Sequence, residues 1–174
     1  MLTMQSVNNH VKRCKPLLGT YVEVSVSSEN DDNTLFDITD DVFSEIHRIE
    51  NLMSFRNPDS ELSYINREAY RHPCPISRDM EEVLTTALNL SKETNGVYDV
   101  SIAPSLVRNG LLPDHFPVAD ERANWQDVSI VDGSISFRRK GLLDLGGIAK
   151  GYAVDRALCL MENQVENITV NAGG

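Results

Sequence analysis

The sequence predicts an α+β fold, and three observations carry that reading. "VSIV" and "SISF" alternate apolar and polar residues on either side of Asp132-Gly133, the signature of a two-residue hairpin turn. Two stretches, Asp40 to Met53 and Arg78 to Thr94, repeat apolar residues at helical spacing. These patterns follow no regular strand–helix alternation, which argues against a doubly wound parallel sheet.

The elements follow in order. In "TYVEVSV", Val22, Val24 and Val26 share one face, as in a half-buried strand. The polar run "SSENDDNT" is expected as a loop. Val42, Phe43, Ile46, Ile49, Leu52 and Met53 form the buried stripe of the first helix, with Thr39 or Asp40 placed to cap it. Pro58 forces a turn, and Asp59 or Ser60 starts a short helix. Ser77 caps the next helix. Asp79, Glu81 and Glu82 lie in its first turn, where the dipole favours them, and Asn95-Gly96 stops it.

Val97 to Val107 reads as an irregular loop leading into a short element, and Asn109 to Asn124 as an exposed connection. After the hairpin, "LLDL" is expected as a strand. A helix then opens near Gly147 and runs to about Asn163, and "NITVN" forms a last strand. The final "VNAGG" carries a strand into a turn or a ligand loop. There is no internal repeat and no low-complexity segment.

Composition narrows the function. The 174 residues suit one domain, and 41% hydrophobic content supplies a core. The net charge of −10 opposes nonspecific binding to nucleic acid or to an anionic membrane. No apolar run approaches the roughly 20 residues that span a bilayer. Cys14, Cys74 and Cys159 are too scattered for a disulfide framework or a zinc site, which fits a reducing cytoplasm. The N-terminal segment shows no signal-peptide core, so a cytoplasmic location is expected unless a signal has been removed. His10, His47, His72 and His115 show no metal-ligand spacing, and no catalytic residue is assigned.

Three stretches are candidate sites. In "DLGGIAK", Asp144 and Lys150 flank Gly146-Gly147 ahead of a helix. This is either a turn that holds a phosphate or a tight corner whose Lys faces water. In "TNGVYDVSIAP", Tyr98 and Asp99 follow a helix-ending Gly. They either stack on and bond a base or serve as a packed ring and a turn carboxylate. Phe55, in "MSFRNPDS", is either an exposed stacking surface or core.

Taken in order, "LLGTYVEVSV", "IENLMSFRNPDSELSYIN", "TNGVYDVSIAPSLV", "LLDLGGIAKGYAVDRA" and "ITVNAGG" resemble the ApbE family of flavin transferases, from about Pro16 onward. The resemblance implies an ApbE-like α+β fold and a magnesium-dependent reaction. In that reaction FAD gives its FMN half to a Thr hydroxyl of an acceptor flavoprotein, and AMP leaves. Some members also, or instead, hydrolyse FAD to FMN and AMP. The resemblance places Leu18, Phe55, Val97, Tyr98, Asp99, Asp144 and Lys150 against FAD and offers the Gly147 carbonyl to the metal.

Family members continue beyond "NAGG" through an Asp-containing metal motif. The expectation is therefore one ApbE-like domain portion over 1–174, incomplete at its C-terminus and lacking that metal-site region. Such a chain is either truncated and inactive alone or completed by another chain, and a third reading is an inert structural fragment that forms a homo-oligomer through its uncovered face. The alternative of another class is a non-catalytic FAD- or adenosine-binding module.

Overall fold

Two hairpins organise the protein, and each belongs to its own compact unit in this computed structural model, which describes residues 8–162 and 164–173. One unit holds the described residues up to Glu50 together with those from Lys150 onward. The other runs from Asn51 to Ala149.

In the first unit, β1 (Asn9–Leu17) and β2 (Thr20–Ser28) pair antiparallel, and β2 also pairs with β6 (Asn167–Ala172) in the order β1-β2-β6. β2 is central, so its inward face is dry: Val22, Val24 and Val26 are fully buried, as their alternation predicts. β1 is absent from the sequence-based expectation. Val11 is its only buried residue, and an edge strand rich in Lys and Arg leaves little apolar alternation to read.

Helix α1 (Asp32–Met53) begins eight residues before the expected Asp40. The carboxylate of Asp31 accepts the Thr34 N–H at 2.9 Å, so the polar run expected as a loop supplies the cap and the first turns instead. Leu35 and Ile38 extend the buried stripe through Ile49. α5 (Ala149–Met161) buries Ala153, Ala157 and Met161. Its expected end at Asn163 lies outside the described residues.

The second unit opens with the end of α1, then α2 (Glu61–Glu68), capped by Ser60, and α3 (Arg78–Glu93), capped by Ser77. The Glu61 carboxylate accepts both the backbone N–H and the hydroxyl of Ser77, each at 2.6 Å, and so ties the start of one helix to the next. Asn95 and Gly96 both take left-handed φ, and the Gly96 N–H returns to the Ser91 carbonyl at 2.8 Å, the expected stop. A short α4 (Ala103–Arg108) follows.

β4 (Val128–Val131) and β5 (Ser134–Phe137) form the expected hairpin. Asp132 and Gly133 both have positive φ, and a two-residue strand β3 (Cys74–Pro75) adds to β5. Asp127 anchors the hairpin base. Burial pushes its carboxyl pKa up, but Arg138, the Asn124 N–H and Arg139 outweigh that, and the net shift is downward.

"LLDL" is not a strand. Leu142, Leu143 and Leu145 are buried as core, but the backbone there joins no ladder. Its polar groups are met by a side chain and a loop: Asn66 bonds both the N–H and the carbonyl of Leu143, and the Asp144 N–H donates to the Val100 carbonyl at 2.9 Å. No described helix is long and apolar enough to cross a membrane.

Candidate functional site

Apart from Phe55, the site candidates of the second unit converge on two neighbouring segments. Val97, Tyr98 and Asp99 follow the left-handed stop of α3. The Tyr98 N–H donates to the Thr94 hydroxyl at 3.0 Å, which fixes where the ring leaves the chain. The bond from the Asp144 N–H to the Val100 carbonyl then lashes this loop to the Asp144 segment.

Tyr98 and Gly147 meet directly. A Cβ at Gly147 would lie 3.3 Å from Tyr98 Cε2, closer than an ordinary packed methyl. The Gly pair is therefore needed here for close approach, since neither glycine has positive φ. The Tyr98 hydroxyl is buried and has no hydrogen-bond partner among the described residues. Burial, with smaller contributions from the Asp144 and Asp99 carboxylates, raises the Tyr98 pKa and keeps the phenol protonated.

Asp99 braces its own loop. Its Oδ1 accepts the Ser101 N–H at 2.8 Å and the Ser101 hydroxyl at 2.6 Å. Val97 is 90% exposed and offers an apolar surface at the loop tip. Asp144 is half-buried, and its Oδ2 accepts the Gly146 N–H at 3.1 Å. The N–H groups of Ile148 and Ala149 both donate to the Leu145 carbonyl. Three amides of this corner are thus engaged within the turn, which is less than the open nest a phosphate would seek.

Phe55 is core rather than an exposed surface. It is 4% exposed, stacked with His115 at 5.5 Å between ring centroids and met edge-on by Phe116 at 4.8 Å. His115 is exposed, and no local pattern singles it out, because its partner lies sixty positions away in the chain.

Leu18 and Lys150 belong to the other unit. Leu18 and Gly19 form the β1–β2 turn, both with positive φ, a conformation unusual for Leu. Gly173 approaches that hairpin so closely that a Cβ would fall 2.5 Å from Thr20 Oγ1, which accounts for glycine at the end of β6. Lys150 is exposed in the first turn of α5.

The metal expectation meets an unsuitable donor set. Magnesium favours near-octahedral oxygen ligands, usually with carboxylates among them. Among the described residues no three His, Cys, Asp or Glu side chains come together, so the Gly147 carbonyl has no such set around it.

A sequence profile of the ApbE family matches residues 18–174. An FAD:protein FMN transferase of Klebsiella pneumoniae (strain 342) is 34% identical over 145 residues, covering 76% of this chain and 46% of that protein. A second Klebsiella protein of that name is 27% identical and covers 90% of this chain and 49% of its own length. The chain spans about half the length of the curated relatives it matches. Among solved structures, the flavin transferase ApbE from Vibrio cholerae superposes with a TM-score of 0.81 at 26% identity, over 97% of this chain and 58% of that one. The ApbE protein from Thermotoga maritima, at 24% identity and a TM-score of 0.83 over 95% of this chain and 57% of that one, shares the fold.

Proposed function

The chain belongs to the ApbE family, and from that premise we propose that it binds FAD and serves the transfer of FMN to an acceptor flavoprotein. The reaction breaks the pyrophosphate bond of FAD and forms a phosphoester between the FMN phosphorus and a Thr oxygen. AMP leaves, and the Thr hydroxyl proton is released. Both units are read as portions of one ApbE-type domain.

The observation that carries FAD binding is the Tyr98 hydroxyl. A buried polar atom without a protein partner is uncommon in a folded chain. It lies in the same cluster as Asp144 and the bare Gly147, where a nucleotide hydroxyl or base nitrogen would satisfy it. In this reading Tyr98 and Val97 pack on the ligand, and the Asp144 carboxylate accepts a ligand O–H or N–H. Asp99 keeps the loop in place while contributing its negative charge. Leu18 and Lys150 are proposed FAD contacts on the strength of the resemblance, and Phe55, which the resemblance also places there, is covered and is read as lying behind the contact surface.

Magnesium also rests on the resemblance, with Gly147 as its proposed carbonyl ligand. Among the described residues no cluster of three His, Cys, Asp or Glu side chains accompanies it. A second reading, which the Tyr98 hydroxyl supports equally, is a non-catalytic FAD- or adenosine-binding module. FAD pyrophosphatase activity differs from transfer only in taking water as the acceptor. A cytoplasmic location and a homo-oligomeric state belong to the same proposal.

The test incubates purified chain with FAD and magnesium, with and without a Thr-bearing acceptor flavoprotein. AMP release and flavin fluorescence are followed together. AMP release that requires the acceptor supports transfer, and release without it supports the pyrophosphatase. Binding alone supports the module, and an absence of binding overturns all three.

A further inference from the structure

We propose that His115 is the aromatic surface that a planar ring of the nucleotide meets in this unit, with Phe55 as the buried ring that supports it. The proposal rests on the FAD-binding reading above. Phe55 has almost no free surface of its own, and the ring over it is the His115 imidazole, with planes inclined by 25°. Phe116 closes the edge of both rings, 4.8 Å from Phe55 and 4.3 Å from His115 between centroids. Phe116 is buried, whereas His115 is exposed. A base arriving from solvent therefore meets imidazole rather than benzene.

The imidazole stands on a fixed base. Arg56, next to Phe55, donates from Nη2 to the Leu111 carbonyl at 2.7 Å, which ties the His115 loop to the Phe55 segment. The ring nitrogens of His115 have no protein partner among the described residues, so they remain available to a ligand as well as the π face. A ring that existed only to fill core would be covered. Here the covered rings are Phe55 and Phe116, and the ring left open is the one with hydrogen-bonding capacity.

The test compares wild type with His115→Ala and His115→Phe, measuring FAD affinity by flavin fluorescence and the thermal midpoint without ligand. Loss of one base stack weakens binding on the order of tenfold. The expected result is that His115→Ala binds FAD about tenfold more weakly with little change in the unliganded midpoint, and that His115→Phe restores most of the affinity. Unchanged FAD affinity in His115→Ala overturns the proposal, as does failure of His115→Phe to restore it. Titration of each protein with AMP and with FMN then shows which planar ring is stacked, because only that ligand loses affinity in His115→Ala. If wild type itself does not bind FAD, the FAD reading fails first, and that is visible before any variant is made.

Discussion

Asn66 holds both backbone polar groups of Leu143. Its Nδ2 donates to the Leu143 carbonyl at 3.0 Å, and its Oδ1 accepts the Leu143 N–H at 2.8 Å. The amide orientation is fixed by these partners, since one can only donate and the other only accept. A single buried side chain thus replaces a strand neighbour, one residue before Asp144.

Asn66→Ala leaves two buried backbone groups unpaired, and at roughly 1–3 kcal/mol for each unsatisfied group the expected loss is about 2–6 kcal/mol. Asn66→Asp keeps an acceptor but sets a carboxylate oxygen against the Leu143 carbonyl, so it is expected to be at least as damaging. Urea unfolding of the three proteins checks both. A loss below about 0.5 kcal/mol for Asn66→Ala would show that water replaces the amide without cost.

Tyr98→Phe separates ligand binding from folding. Without ligand, removal of an unpaired buried hydroxyl should leave stability unchanged or raise it by up to about 1 kcal/mol. With FAD, affinity should fall by about 1 kcal/mol, the worth of one hydrogen bond. Thermal midpoints with and without FAD give both numbers, and a loss of stability in the unliganded protein would contradict the orphaned hydroxyl. The pH sign also follows. A raised folded-state pKa means that the folded chain holds the proton more tightly, so this contribution is full below the ordinary phenol value near 10 and is lost as pH rises above it. Tyr98→Phe should therefore blunt alkaline destabilisation.

Legibility in the sequence tracked how local each cause is. β2, the Asp132-Gly133 hairpin and the Ser77-capped α3 rest on alternation, turn chemistry and capping within a few residues, and all could be read. The extended segment at Leu143 could not, because what satisfies its backbone is a side chain 77 positions away. β1 and the first turns of α1 were hidden by polar composition. In the former, Arg13 and Lys15 alternate with Val11 and reach Asp40 on α1, so polar residues occupy positions that apolar ones would have marked, and in the latter, Asp31 turns a polar run into a cap. Tyr98, Asp144 and Gly147 are separate candidates in the residue pattern and come together in the sequence only through the family resemblance, since the link between them is a tertiary bond from Asp144 to Val100. Phe55 was open to two readings, and His115 decides for the buried one.

Asp144→Ala is expected to weaken FAD binding by about 1–3 kcal/mol, as for losing a hydrogen bond from a charged group. Asp144 also holds the Gly146 N–H, so the substitution loosens the turn as well. Asp144→Asn keeps an acceptor for that N–H while removing the charge, and should retain the turn but still lose part of the affinity. Isothermal titration with FAD measures both, and full affinity in a folded Asp144→Ala would remove this carboxylate from the site.

Asp40 makes the acid stability of the first unit testable. Arg13 and Lys15, both on β1, reach its Oδ1 at 3.0 and 2.8 Å. The Arg13 bond first, and then the Lys15 bond, lower the Asp40 pKa from 3.8 to about 2. A depressed carboxyl pKa contributes stability that is fully present above the unfolded value. That contribution is lost as pH falls from there through the folded value, so the window lies between about pH 4 and pH 2. The carboxylate is exposed, and the effect is expected to be small and to shrink further in 1 M salt. Asp40→Asn should be less stable than wild type at pH 6, with most of that gap gone by pH 2 and with the gap at pH 6 narrowing in high salt. Carboxyl titration by NMR gives the pKa directly. An Asp40 that titrates near 3.8, or a variant gap that persists undiminished at pH 2, would show that the Arg13–Lys15 pair does not grip this carboxylate in solution.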